Sequence, residues 1–220
     1  MLRVLRLGVG DEADVFDGRG NLWRTAVAQV GRKSAAVRLI EEIEPARELD
    51  LGVCLVISVL KGDKVDAMVR DAVMLGVTGI RPVVSERSEI SLAAMTRSAR
   101  IARWQRIAVA SAKQCGRAVV PPIEVTTPLD RYWTETRDAM RVMCVEPSAA
   151  LGDVVCPQAV PRTRAVDVIV GPEGGWTVPE VAAAHDSGAI LMSLGARTLR
   201  ADAVPIIALT ALLTSWGELT

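Results

Sequence analysis

The chain has 220 residues, enough for one or two domains, with 50% hydrophobic and 24% charged residues, which excludes a disordered or low-complexity polymer. Its 26 Lys+Arg balance 26 Asp+Glu, so contact with nucleic acid must come from a local patch and not from bulk basic charge. Aromatics are only 3%, too few for a stacking platform of the single-strand-binding kind.

The first 45 residues read as short strands. Asp17-Gly18-Arg19-Gly20-Asn21 separates Glu12–Phe16 from Leu22–Val30, a hairpin signal, and Ala35–Ile40 is a third strand. Three strands do not close a barrel, and the chain opens within a strand-like run; residues 1–48 are expected as a small β domain. The charged, proline-containing stretch 41–50 is the expected linker.

From residue 51 strands and helices alternate. Val53–Leu60 is apolar throughout, as a strand buried on both faces is. Asp63–Leu75 reads as a helix, Gly79–Val84 as a strand and Leu92–Gln114 as one long helix. Arg141–Val145 and Val166–Val170 are strands. Thr177–Ser187 is a helix, with Thr177 and Glu180 at capping-box spacing. Ala189–Ser193 is a strand and Ala203–Trp216 the last helix, with Asp202 a candidate N-cap. This alternation predicts a mostly parallel sheet covered by helices on both faces.

Cys54, Cys115, Cys144 and Cys156 have no C-x-x-C spacing, and His185 is the one histidine, so no metal site is expected and a reducing compartment is. No signal peptide is visible, and the longest apolar runs fall far short of the roughly 18 residues a membrane helix needs. The expected location is the cytoplasm. Residues 71–150 carry 11 Lys/Arg against 8 Asp/Glu. On a helix, Arg103, Arg106, Lys113 and Arg117 share an arc of roughly 80°, either a solvated face or a phosphate-contacting stripe.

Two loops carry the chemistry. Gly171-Pro172-Glu173-Gly174-Gly175 joins a buried strand to the capped helix, where ligands bind in parallel sheets. It has neither P-loop nor G-x-G-x-x-G spacing. Ser193-Leu194-Gly195-Ala196-Arg197-Thr198-Leu199-Arg200-Ala201-Asp202 likewise runs from a strand into a helix, and its two arginines suit an anionic substrate.

These loops resemble the RsmE-type family of 16S rRNA (uracil-N3) methyltransferases of the SPOUT superfamily. Collinear support comes from Val4-Leu5-Arg6, Phe16-Asp17-Gly18, Lys61-Gly62-Asp63-Lys64, Ser85-Glu86-Arg87-Ser88, Trp104-Gln105-Arg106-Ile107-Ala108, Gln114-Cys115-Gly116-Arg117 and Pro121-Pro122. The resemblance implies an α/β fold: a trefoil-knotted parallel-sheet domain over 49–220, preceded by a small, incomplete PUA-like β-barrel domain. It implies S-adenosylmethionine as cofactor, held by Val145, Glu146, Pro147, Gly171, Pro172, Glu173, Gly174, Gly175, Ser193, Leu194, Gly195 and Leu199.

It further implies a homodimer acting on 16S rRNA of the small ribosomal subunit, with no membrane and no metal. Arg200 and Asp202 are the catalytic candidates. Arg87, Arg103, Arg106, Lys113, Gln114, Arg117 and Arg197 are the RNA-binding candidates. The sequence departs from the family's pattern at Asp71, Met74, Glu146, Ala196, Thr198 and Ala201-Asp202-Ala203, the last in place of Thr-Glu-Thr. These departures motivate one alternative reading: a catalytically impaired or retargeted paralogue that binds RNA.

Overall fold

A computed structural model describes residues 7–32, 34–148 and 153–219. The motif Val4-Leu5-Arg6 and the opening strand-like run lie outside them. The chain forms two compact units. The first holds residues up to 47 together with 112–120, and the second holds 48–111 with 121–220.

The first unit is an antiparallel sheet of β1 (Glu12–Phe16), β2 (Leu22–Val30) and β3 (Ala35–Glu42). The β1–β2 turn is made by Asp17. Its Oδ1 accepts from the Arg19 N–H at 2.7 Å and its Oδ2 from Asn21 Nδ2 at 2.6 Å. These donors hold the Asp17 carboxyl below the usual carboxylate range. Gly18 and Gly20 take φ of +78° and +114°, which the turn requires and a side chain would resist. The turn then docks by backbone bonds on 118–120, Gly20 N–H to Ala118 O and Val120 N–H to Gly18 O.

The second unit is a six-stranded sheet in the order β6-β5-β4-β8-β7-β9, and every paired strand in it is parallel. The strands are β4 (Gly52–Ser58), β5 (Gly79–Val84), β6 (Thr127–Pro128), β7 (Met140–Cys144), β8 (Ala165–Val170) and β9 (Ile190–Met192). The helices are α1 (Lys64–Met74), α2 (Leu92–Arg97), α3 (Arg100–Cys115), α4 (Leu129–Thr134), α5 (Val178–Asp186) and α6 (Val204–Ser215).

Side chains alternate across a strand, so a central strand serves two cores. Cys54 and Val56 of β4 join Val83, Met143 and Ile169 against Leu129 and Tyr132 of α4 and Val181 and Ala184 of α5. Val53, Leu55 and Ile57 face the other way and are almost fully buried. On that side α1 and α6 contact each other. Each buried aliphatic contributes about 1.5–3 kcal/mol, which explains why these strands are apolar on both faces. Helix α3 is tied to α1 by Trp104 Nε1 donating to Asp66 Oδ1 at 3.1 Å and Ser111 Oγ donating to Arg70 O at 2.7 Å.

The structure corrects three expectations. The long helix over 92–114 is two helices. Ser98 takes an extended backbone (ψ 156°), its hydroxyl donates to Met95 O, and its Oγ accepts from Arg100 N–H, so one serine closes α2 and opens α3. Asp202 is not the cap of α6, which begins after Ala203 with no side-chain cap; the Asp202 carboxylate is held by Arg200 instead. Arg117 lies beyond the end of α3 and is 5% exposed, so it is not part of an exposed helical stripe. Residues 121–139, unassigned from sequence because prolines and polar residues mask any period, form β6 and α4. The capping box is formed as expected: Glu180 N–H donates to Thr177 Oγ1 and Thr177 N–H to Glu180 Oε2.

At the amino ends of the strands the interior is polar. Asp167 of β8, 1% exposed, accepts from Tyr132 Oη at 2.8 Å and is ion-paired with Arg137 Nε at 2.7 Å. The guanidinium carbons of Arg81 and Arg141 each stand 5.2 Å from the Tyr132 ring centroid. Burial and the neighbouring Asp167 carboxylate push the Tyr132 phenol well above its ordinary range, so it stays a donor. Tyr132→Phe is expected to lower stability in urea denaturation by about 1–2 kcal/mol. Arg137→Ala is expected to cost more, about 3 kcal/mol or above, because it removes the countercharge of a buried carboxylate. Equal effects would show that the ion pair is not what secures Asp167.

Candidate functional site

Strands β8, β7 and β9 are hydrogen-bonded neighbours and point the same way. The loops leaving their carboxyl ends therefore meet. They are Val145-Glu146-Pro147 after β7, 171–176 after β8 and 193–199 after β9. Together they line one cleft open to solvent, at the sheet edge where ligands bind in parallel α/β folds. Every residue nominated for the cofactor lines it except Gly174.

The glycine-rich loop is built tightly. Gly175 N–H donates to Pro172 O at 3.0 Å, closing a turn in which Gly175 has φ +67°. A Cβ at Gly171 would stand 2.9 Å from the Trp176 ring, which explains the glycine there: the indole lies against its α-carbon. The same indole donates to Cys144 O at 2.8 Å, tying the 171–176 loop to the end of β7. The β7 and β9 ends are joined by Val145 N–H to Met192 O at 2.9 Å. The cleft wall combines apolar Val170, Trp176, Leu194, Leu199 and Val204 with the carboxylates of Glu146 and Glu173.

A charged group stands beside it. Lys64, at the start of α1 after β4, donates to Glu173 Oε1 at 2.8 Å. Arg200 makes a bidentate pair with Asp202, Nε to Oδ1 and Nη2 to Oδ2, both at 3.1 Å. This pair sits in the turn whose neighbours Leu199 and Ala201 line the cleft. Arg200 is 77% exposed in its side chain and Asp202 27%. The guanidinium holds the Asp202 carboxyl below the usual range. Glu173 raises the Lys64 ammonium above its ordinary value.

The remaining candidates are dispersed. Arg197 lines the cleft itself. Arg87 donates to Gly174 O and Trp176 O of the glycine-rich loop. Arg103 is ion-paired with Asp66, and Arg106 donates to Ala102 O on its own helix. Lys113 and Gln114 are exposed near the end of α3. Sequence reasoning did not nominate Cys144, Val170, Trp176, Thr198, Ala201 or Val204 for the cleft. Trp176 and Val170 directly flank the glycine-rich loop, and that adjacency was the available signal. Lys64 was noticed as part of a motif, without a role. Among the described residues no cluster of three or more His, Cys, Asp or Glu is placed to hold a metal, and no helix is long and apolar enough to cross a membrane.

Comparison with known proteins places this architecture. Residues 47–213 match the RNA methyltransferase domain and residues 1–40 the RNA methyltransferase PUA domain. Ribosomal RNA small subunit methyltransferase E of Synechocystis is 32% identical over 211 residues, spanning 94% of this chain and 67% of that protein. The Bacillus subtilis protein of the same name is 25% identical over 217 residues, 96% of this chain and 85% of that one. The methyltransferase E of Neisseria gonorrhoeae, solved with S-adenosylmethionine, superposes with a TM-score of 0.86 at 29% identity, covering 97% of this chain and 86% of that one. A Legionella pneumophila protein solved in complex with the cofactor SAM gives 0.87 at 27% identity, covering 97% and 87%.

A parallel sheet with a glycine-lined cleft at the carboxyl ends of its strands, in a chain that also holds a small antiparallel β unit, is thus a SPOUT-type α/β domain with a PUA-like companion. The chain belongs to the RNA methyltransferase family of the small-subunit methyltransferase E type.

The cleft floor yields a direct test. Burial pushes the Cys144 thiol up to about 12, and burial with the nearby Asp167 charge does the same to Cys54. Cys156 is exposed. Iodoacetamide at about pH 7.5 is expected to modify Cys156 in the native protein, and Cys54 and Cys144 only after denaturation, read by peptide mass mapping. Native labelling of Cys144 would mean that the cleft floor is open to reagent.

Proposed function

We propose that this protein transfers the methyl group of S-adenosylmethionine to N3 of a uridine in 16S rRNA of the small ribosomal subunit. In this reading residues 1–48 are the PUA-like RNA-binding part and residues 49–220 the methyltransferase domain, working as a cytoplasmic homodimer without a metal. The observation that carries the reading is the single cleft formed by loops 145–147, 171–176 and 193–199. The names of the relatives above, and the cofactor in two of the related structures, support it.

The cleft fits the cofactor in kind. A flat apolar base suits Trp176, Leu199 and Val204, and the carboxylates of Glu146 and Glu173 suit a cationic ligand. When bound, the sulfonium supplies an already activated methyl group. The protein's task is then to align the base and manage one proton. Uracil N3 lies on the Watson–Crick edge, so the base must be unpaired or flipped out before it reacts.

Loss of the N3 proton would leave negative charge shared with the uracil oxygens, and that charge would be quenched as the N3–carbon bond forms and the carbon–sulfur bond of the sulfonium breaks, with the thioether as leaving group. Asp202 accepts the N3–H hydrogen bond, orients the base and takes the proton. Arg200 stabilises the charge on the oxygens. The bidentate Arg200 pair makes Asp202 a weak base that stays ionised, suited to proton transfer concerted with methyl transfer. An aspartate in this role needs the base about one methylene closer than a glutamate does.

Arg200→Ala and Asp202→Ala are expected to cut kcat by about 10²–10³-fold while leaving cofactor affinity nearly unchanged. Without Arg200 the Asp202 carboxyl returns upward toward its ordinary range, so the acid limb of kcat/KM in Arg200→Ala should move to higher pH. An unmoved limb would remove Asp202 from the proton transfer. The function itself is tested with labelled S-adenosylmethionine and small subunits from a strain lacking the modification, followed by nucleoside analysis. 3-Methyluridine is the expected product. Cofactor binding with no 3-methyluridine would favour the impaired or retargeted paralogue motivated by residues 201–203.

A further inference from the structure

Arg87 stands in the turn after β5, in a segment whose simplest reading is an RNA contact. Its surroundings indicate otherwise. Arg87 Nη1 donates to Gly174 O at 2.8 Å and to Trp176 O at 3.2 Å. The side chain also lies close over the loop: a Cβ on Gly174 would be 3.1 Å from Arg87 Cβ. Gly174 is the one residue of the glycine-rich loop that does not line the cleft, whereas Gly175 and Trp176 do. The loop is therefore held between the guanidinium on its outer side and the cleft on its inner side.

The turn that carries Arg87 is itself anchored. Ser85 N–H donates to Ser88 Oγ at 3.0 Å, and the Ser85 and Ser88 hydroxyls are 2.9 Å apart. Buried Ser58, the last residue of β4, donates to Ser85 Oγ at 3.1 Å. A second tie runs parallel to the first. Glu86 N–H donates to Glu180 Oε1 at 2.8 Å, while Oε2 of the same carboxylate accepts from Thr177 N–H at 2.8 Å. Two consecutive residues thus fasten the β5 turn to both ends of the stretch 174–180. Both bonds to the loop leave one nitrogen, Nη1, whose two N–H donors lie in the fixed plane of the guanidinium.

We propose that Arg87 is a positioning residue of the cofactor cleft: by fixing the carbonyls of Gly174 and Trp176 it holds the 172–176 turn in the shape that receives S-adenosylmethionine. The proposal rests on the reading of the cleft given above. It differs from an RNA-contact role in which constant it changes.

The experiment compares wild type, Arg87→Ala and Arg87→Lys by calorimetric titration with S-adenosylmethionine, and by steady-state assays with either substrate varied. Arg87→Ala is expected to raise the cofactor Kd by about 10- to 100-fold. Its kcat at saturating cofactor and its KM for the small subunit should stay close to wild type. Arg87→Lys should recover part of the affinity, since its ammonium also carries donors for both carbonyls but sits on a shorter side chain without a fixed plane. If Arg87→Ala does not fold, as judged by thermal melting without ligand, the criterion is the Kd of a folded Arg87→Lys: a value raised above wild type supports the proposal and an unchanged one overturns it. An unchanged cofactor Kd with a raised KM for the small subunit, and a salt dependence shallower by about one unit, would overturn the proposal in favour of a phosphate contact. Failure of the wild type to bind S-adenosylmethionine would overturn the reading of the cleft and this proposal with it. Equal binding by wild type and Arg87→Ala overturns the proposal alone.

Discussion

The carboxyl ends of β7, β8 and β9 lie side by side because these strands are hydrogen-bonded neighbours running in parallel. A loop leaving one of them must pass the loops leaving the other two. All features of the cleft descend from this constraint. The Trp176 indole reaches Cys144 O because β8 and β7 end at the same level. Gly171 is glycine because that indole covers it, and Gly175 because the turn closing the loop needs a positive φ. A side chain at either position disturbs the wall of the cleft without touching any reacting atom.

The two ends of the sheet divide the work. At the amino ends, Asp167, Arg137 and Tyr132 form a buried polar group that joins β8 to α4 and to the segment after it, flanked by the Arg81 and Arg141 guanidiniums. Removing water from these groups is costly unless all of them are paired, so this end tolerates little change. At the carboxyl ends the charged pairs Lys64–Glu173 and Arg200–Asp202 are partly exposed, and screening makes them weak contributors to stability. They can exchange partners with a ligand at modest cost. Polar groups are buried where the fold must be rigid, and half-exposed where chemistry is proposed.

Hydrophobic periodicity and turn residues made most elements legible. Five- to nine-residue apolar or alternating runs located β1, β2, β4, β5, β7 and β8 within a residue or two, and Thr177 with Glu180 marked the start of α5. The errors came from residues whose local and tertiary options compete. Ser98 lies inside an otherwise helix-forming run, yet its hydroxyl satisfies backbone groups on both sides of a break. Asp202 has the right type for an N-cap, yet an arginine two residues away outcompetes the backbone for its carboxylate. Arg117 continues the helical arc on paper, but the helix stops at Cys115.

What the sequence determined by itself was therefore the set of elements, the glycine-rich and arginine-bearing loops, and the family those loops resemble, since each depends on residues close together along the chain. The tertiary structure alone decided which loops meet. Strand order is not written in any local pattern, so only the placement of β7 between β8 and β9 brings 145–147 into the same cleft as 171–176 and 193–199. Arg87 shows the same division. Its type and exposure suit an RNA contact, but the Ser58–Ser85–Ser88 hydroxyls and the adjacency of the β5 and β8 loops turn its guanidinium onto the carbonyls of Gly174 and Trp176, 87 and 89 residues away in sequence.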